Sequence, residues 1–445
     1  MLTLLLSLTC AILLGQSTLL IHNVHVIPMT SDTIWRNQMI LIQDGRIHEI
    51  GPHLHHSDLS SFDAKGQYLM PGLIDMHVHL QDKKELGLYL ANGVTSIRNL
   101  QGLPWHLKIR KKIQNGNLSG PQLLTSSPQL SGPQEDDPTR IKLKSPKQAE
   151  KMVRKYKKQG YDCLKTYNKI PEEIFNALVR TAREENIPVV AHPSFYIPYE
   201  NHFQDGVVTI EHTEDIVQQA LDHHLDSVKL STVITGFARH GMTHCPTLSV
   251  YSRIDQILTE GASILTSDEL AYLNHFFQQR SKKEFKGWTA YAQKKPEIKT
   301  QIATQQQFHL YILGQMYKAG IPIVCGTDAG ILFNPAGFSM HDELAFYREA
   351  GMSSFEALKT ATINPSGVHP ELADLGSIEP GKKANLLLLA DNPLKHPSTL
   401  RNPRFVMVEG KMIEREELTE MKEKAYQHGS GFGTFMRFGW FILTK

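Results

Sequence analysis

Between residues 73 and 327 the chain repeats one texture eight times: a short apolar run, followed in most cases by a helical pattern. The runs are Leu73–His79, Thr95–Leu100, Gln122–Ser126, Cys163–Tyr167, Val189–His192, Val208–Thr213, Thr243–Leu248 and Ile321–Thr327. Helical spacing separates most of them, as in Pro171–Asn186. Eight βα units close into a barrel whose working residues stand at the C-terminal strand ends. The expected fold class is α/β, with a (β/α)8 TIM barrel over residues 67–367.

The two ends have a different texture. Thr18–Pro28 alternates like a strand, and Met39–Gln43 and Arg46–Ile50 flank Asp44-Gly45, a hairpin signal. Near the other end, Ala384–Ala390 reads as a strand, and Phe405–Val408 and Lys411–Ile413 flank Glu409-Gly410. Two strand-rich pieces bracketing the barrel imply one small discontinuous β-sandwich domain, built from residues 18–66 and 368–415. The tail, 416–445, has no assignment. Pro128–Lys144 is Pro-rich and polar and is expected to be irregular. About 70 residues separate the seventh and eighth runs, far more than an ordinary βα connection. They contain helical stretches over Ser267–Phe285 and Pro296–Ala319, which suggests a lid or substrate wall; residues 249–295 have no assigned role beyond that.

Leu2–Leu14 is an apolar run too short to span a bilayer, and Gly15-Gln16-Ser17 follows as a small-x-small cleavage signal. Residues 1–17 therefore read as a signal peptide and the protein as exported, periplasmic or extracellular, with no integral membrane span once the signal is removed. The n-region has no Lys or Arg, and Leu8 and Thr9 are poor lipobox neighbours for Cys10. The formal net charge of +2 implies no nucleic-acid or membrane-surface partner. Cys163, Cys245 and Cys325 are odd in number and sit in strand-like runs, so buried thiols are expected, not disulfides.

Residues of metal-ligand type fall at the strand ends. Strand side chains alternate with period two, so His77 and His79 share a face. With 22 histidines present decoys are expected, and His53 and His55 form one such pair in a polar stretch. Lys165 lies between Leu164 and Thr166, where a charged amine is costly. Near cations its ammonium form is disfavoured, and the neutral amine could add carbon dioxide to give an anionic carbamate. His192 and His212 each end an apolar run, and Asp328 follows the last one. Such a set holds divalent metal, and metal at strand ends activates water. Zinc is the default, although spacing does not exclude manganese or iron.

These residues resemble the amidohydrolase superfamily, in particular its imidazolonepropionase-like and prolidase-like branch. The resemblance rests on Leu69-Met-Pro-Gly-Leu-Ile-Asp-Met-His-Val-His79, Glu211-His212, Gly326-Thr-Asp328, Ala361-Thr-Ile-Asn-Pro365 and the stretch Gly376–Asn385. It implies two divalent metal ions. One would take His77, His79 and Asp328 and the other His192 and His212, with a carboxylated Lys165 and a hydroxide bridging them. Asn99 and Asn385 stand where the family often has Asp; neither is an expected ligand.

The expected activity is hydrolysis of a peptide-like amide in a small substrate, a dipeptide or an N-acyl amino acid. Asp328 would carry the proton to the leaving amine. Tyr167, two residues from Lys165 on the same strand face, is a candidate donor to the developing oxyanion. Arg98 and His341 are candidates for gripping the substrate. The alternatives are hydrolysis of a cyclic, imidazolone-like amide and a mononuclear deaminase on the same fold. Deaminase sites commonly carry Glu three residues after a metal-proximal His, and here Phe195 and Asp215 occupy that offset. A partner-binding barrel without metal is disfavoured because all six candidate ligands are present. No nucleic-acid partner is expected, and homo-oligomerisation is left open.

Overall fold

The computed structural model describes residues 18–56, 59–426 and 431–445. The expected signal peptide, Cys10 included, lies outside the described residues. Strand β1 (Thr18–Val26) pairs antiparallel with β2 (Trp35–Gln43), which turns into β3 (Arg46–Gly51). Asp44 and Gly45 have φ of 50° and 77°, the pair of left-handed residues that a two-residue hairpin requires. Strand β4 (Ser61–Pro71) runs parallel to β1 and holds the chain in the sheet as far as Pro71.

From Gly72 the chain enters the barrel. Its strands are β5 (Leu73–Val78), β6 (Val94–Asn99), β7 (Gln122–Thr125), β10 (Leu164–Thr166), β11 (Val189–Ala191), β12 (Val207–Glu211) and β13 (His244–Cys245). Two short strands, β8 (Leu130–Ser131) and β9 (Ile141–Lys142), lie in the stretch expected to be irregular; β8 pairs with β10. The parallel pairs run β5-β6-β7 and β10-β11-β12-β13. A bridge between Ser126 and Cys163 links the two arcs. The eighth run closes the ring without forming a regular strand. His244 donates to the Pro322 carbonyl at 2.9 Å on one side, and Met76 donates to the Cys325 carbonyl at 2.8 Å on the other. The eight-stave barrel is as expected, with its last stave irregular.

Strands β14 (Leu386–Leu389), β15 (Phe405–Val408) and β16 (Lys411–Glu414) return to the first sheet, β14 pairing antiparallel with β4. The order β16-β15-β14-β4-β1-β2-β3 is one continuous sheet made from both ends of the chain. It curls over its own core of Ile21, Ile40, Leu69, Leu386 and Phe405. Ala384 joins the two hairpin tips: its N–H reaches the Gly45 carbonyl at 2.8 Å and its carbonyl accepts from Gly410 N–H at 3.1 Å. A Cβ on Gly45 would lie 2.7 Å from the Glu409 carbonyl oxygen, which leaves room only for glycine there.

The long insertion is more helical than expected. A helix over Leu248–Thr259 starts where the seventh strand was expected to end. The next runs over His275–Lys294, not from Ser267, because the Asn274 side chain caps it by accepting from Phe276 N–H at 3.0 Å. A third covers Ile298–Lys318. The unassigned tail forms two helices, Arg415–Tyr426 and Phe432–Thr444. No helix among the described residues is long and apolar enough to cross a membrane.

Candidate metal centre

The barrel mouth gathers His77, His79, Lys165, His192, His212 and Asp328. Asp328 follows the closing stave with φ 55°, and its N–H donates to the His77 carbonyl at 2.7 Å. That left-handed turn aims the carboxylate inward, with Oδ1 2.7 Å from His79 Nε2 and 3.4 Å from His77 Nε2. The close approach depends on Gly326, where a Cβ would sit 2.8 Å from the His77 Cβ. Next to His77 lies His212, with ring centroids 4.8 Å apart, and His192 follows at 4.5 Å. Tyr167 stacks on His192 at 4.4 Å. Donor atoms of His77, His212 and Asp328 all lie within 4.8 Å of one another, and all three residues are buried.

Three of the four imidazoles have a polar partner behind them. Glu211 Oε2 is 2.6 Å from His77 Nδ1, which leaves Nε2 facing the mouth. Thr247 Oγ1 is 2.8 Å from His212 Nδ1. Asp215 Oδ2 is 3.3 Å from His192 Nε2. Burial pushes His77 down to about 4. It also holds His192 and His212 well below the usual range, helped by Lys165 and His192 respectively. All three are therefore neutral, the form that binds metal. Burial opposes the charge on Asp328, but His77, His79 and His212 outweigh it and keep the carboxyl ionised.

Lys165 Nζ is buried and has no hydrogen-bond partner, as are His79 Nδ1 and His192 Nδ1. Burial lowers the pKa of the Lys165 amine against the pull of Glu211 and Asp328. Orphaned donors are rare in protein interiors. A ring of neutral imidazoles, one carboxylate and an unpartnered amine is a donor set that fits divalent cations.

Two expected residues lie elsewhere. Arg98 is fully buried, and four of its five guanidinium N–H groups are engaged, by Met76 O at 2.6 Å, Thr209 Oγ1 at 3.1 Å, His369 Nε2 at 3.0 Å and Glu211 Oε1 at 3.0 Å. It braces Glu211 and cannot grip substrate. His341 sits on the helix Phe338–Glu349 and lines a separate cleft with Leu344, Pro397 and Arg401. His53 and His55, the decoy pair, are exposed, and the three cysteines are buried thiols.

Three site residues were not identified from the sequence. Glu211 was read only as part of a motif. Asp75 accepts from Thr327 N–H at 3.0 Å and Thr327 Oγ1 at 2.7 Å, tying the first strand to the turn that carries Asp328. Arg140 lies with its guanidinium 3.7 Å from the Tyr167 ring centroid and is anchored by Glu135 and Gln129 at 3.1 Å each. Its place at the site depends on the fold of the Pro128–Lys144 loop, which has no periodic signal.

Above the centre is a cavity of about 390 Å³. His79 and Tyr167 reach it from the barrel, Arg140 and Gln129 from the loop, and Phe276, Phe277 and Arg280 from the insertion. The expected wall function of the insertion thus falls on the helix His275–Lys294. Burial raises the Tyr167 hydroxyl to about 12, so it remains a donor.

The amidohydrolase family model matches residues 168–413 of the chain. A dihydroorotase of Carboxydothermus hydrogenoformans is 45% identical over 64 residues, 14% of this chain and 15% of that protein. An ochratoxinase of Aspergillus niger is 31% identical over 99 residues, 22% of this chain and 20% of the other. The chain thus matches only a fifth or less of these curated relatives' lengths. A prolidase candidate from Bifidobacterium longum superposes with a TM-score of 0.71 at 25% identity, over 92% of this chain and 99% of that one.

Proposed function

The chain belongs to the amidohydrolase family, and from that premise we propose that it hydrolyses a peptide-like amide in a small substrate, a dipeptide or N-acyl amino acid with a free carboxylate. The observation that carries this reading is the buried convergence of His77, His212 and Asp328 within 4.8 Å beside an unpartnered Lys165 amine. His77, His79 and Asp328 would hold one divalent ion and His192 and His212 a second, zinc by default. Such ions, when bound, polarise a carbonyl and lower the pKa of water. The neutral Lys165 amine would add to carbon dioxide, forming an N–C bond and releasing a proton, to give a carbamate, an anionic oxygen donor suited to those ions.

The chain's own groups divide the remaining work. Asp328 is ionised and faces the mouth, so it can accept a proton and pass it to the departing amine. The Tyr167 hydroxyl remains protonated and can donate to oxygen as charge builds there. Arg140, which lies over Tyr167 and is paired with Glu135 at 3.1 Å and Asp137 at 3.6 Å, would turn its remaining donors to the substrate carboxylate, the part first expected of Arg98 and His341.

Hydrolysis of a cyclic amide is the second reading, favoured by the short dihydroorotase match. A panel of dipeptides and N-acyl amino acids, each with free and amidated carboxylates, alongside cyclic amides, separates the two. Amidation should sharply lower the specificity constant. Equal cleavage of both forms, or reaction of cyclic amides alone, would reject the dipeptide reading while leaving amide hydrolysis intact.

A further inference from the structure

The helix Phe432–Thr444 closes the cavity above the metal centre, and no part of the proposed chemistry requires it. It is secured at both ends. At its start Asn274 Nδ2 donates to Thr434 Oγ1 at 3.0 Å, Thr434 Oγ1 donates to the Gln81 carbonyl at 3.2 Å, and Arg437 lies over the Trp105 ring at 4.4 Å. At its end Lys445 Nζ donates to the Arg140 carbonyl at 2.8 Å and the Pro138 carbonyl at 2.5 Å. The helix therefore spans from the insertion to the loop that carries Arg140.

Phe435, Phe438 and Ile442 recur at helical spacing and line the cavity, facing Phe276 and Phe277 of the insertion and Ile331 beyond the last stave. The rings of Phe277 and Phe438 lie 6.5 Å apart. Charged and polar groups in the same cavity come from elsewhere: Arg140, Asp137, Thr139 and Gln129 from the loop, Arg280 from the insertion. The apolar residues thus cluster along the closing helix and the first turn of the insertion helix, with Arg280 one turn further along the latter, and the other charged groups lie on the loop. Binding sites commonly pair an apolar lining with a few placed polar groups, and each lining selects its own part of the ligand.

We propose that the apolar wall made by Phe435, Phe438 and Ile442 with Phe276, Phe277 and Ile331 is an acyl subsite, and that the preferred substrates are amides of bulky apolar acids with a carboxylate-bearing amine. The acyl group seats against the closing helix, and the carboxylate faces the loop. This inference rests on the proposed amide hydrolysis. A site with polar walls throughout would give no preference for acyl size, whereas an apolar pocket discriminates by roughly tenfold or more for each well-buried methylene.

The test is a ladder of N-acetyl, N-butyryl, N-octanoyl and N-phenylacetyl derivatives of one amino acid, assayed on the full-length protein. The specificity constant should rise by at least about tenfold from acetyl to the best bulky acyl group. Ile442→Trp, which fills the subsite, and Phe438→Ala, which removes a wall, should each reduce that ratio several-fold. Melting temperatures identify a variant that fails to fold, and the wild-type ladder decides even if one does. A flat ladder, or ratios unchanged in both folded variants, overturns the subsite. If no member is cleaved, the N-acyl amino acid reading has failed. Calorimetry with N-phenylacetylglycine and N-acetylglycine then decides the subsite alone: tighter binding of the phenylacetyl compound upholds it, and equal binding overturns it.

Discussion

Glu211 Oε2 lies 2.6 Å from His77 Nδ1, and both side chains are buried. Burial opposes the charge on Glu211, but Arg98 and His77 outweigh it and keep the carboxylate ionised. The pair sets the imidazole so that Nε2 points to Asp328 and the mouth. Partners of this kind, behind a ligand, typically govern metal affinity by ~10–100-fold. Glu211→Gln should keep the fold and lose metal affinity on that scale, read by competition with a chelator. Wild-type affinity in the variant would show that the pair has no part in metal binding.

Asp328 should matter more to turnover than to substrate affinity. Asp328→Asn preserves shape but removes the proton acceptor. Turnover should fall by ~10²–10⁴ with most of the metal retained. Near-normal turnover would assign the proton to another group.

A pH effect on stability comes from outside the site. Burial raises Glu85 from 4.5 to about 8, so the folded protein holds it neutral while the unfolded chain ionises it. Its contribution is fully present below the unfolded value and is lost as pH rises through about 8. Glu343 is raised to about 8 as well, also by burial. The urea midpoint should therefore decline from mildly acidic to mildly alkaline pH, and Glu85→Gln should flatten part of that decline. The glutamine oxygen can still accept the Gln81 N–H that Glu85 accepts at 2.7 Å. A slope unchanged in the variant would remove Glu85 from the account.

The barrel and the residues gathered at its mouth were legible because they depend on short-range pattern. Strand-like runs ended in His, Lys or Asp, and alternation placed His77 and His79 on one face. What escaped depends on contacts distant in sequence. Arg98 reads as a substrate group in the sequence because nothing near it reveals Glu211, its partner across the barrel. The last stave looked like the other seven, yet it is held mainly by hydrogen bonds that skip residues. The closing helix is apolar over most of its surface and rich in Gly and Phe, so its few polar residues, Thr434 and Arg437 among them, mark no clear polar stripe in the sequence. Ser267 has the makings of a cap, but Asn274, seven residues later, is the one that accepts from the backbone.

Export is proposed from the apolar run Leu2–Leu14 and the small-x-small sequence after it. Protein purified from its native host should lack residues 1–17. N-terminal sequencing that finds Met1 on soluble cytoplasmic protein would refute this.

The most direct test of the two-metal account is the metal content of purified protein, measured by elemental analysis alongside amide hydrolysis, in wild type and Lys165→Ala. The wild type should carry two divalent ions per chain. The alanine variant should lose metal and activity together, and short carboxylic acids should restore part of the activity by standing in for the carbamate. An alanine variant with two ions per chain and full activity would contradict the account.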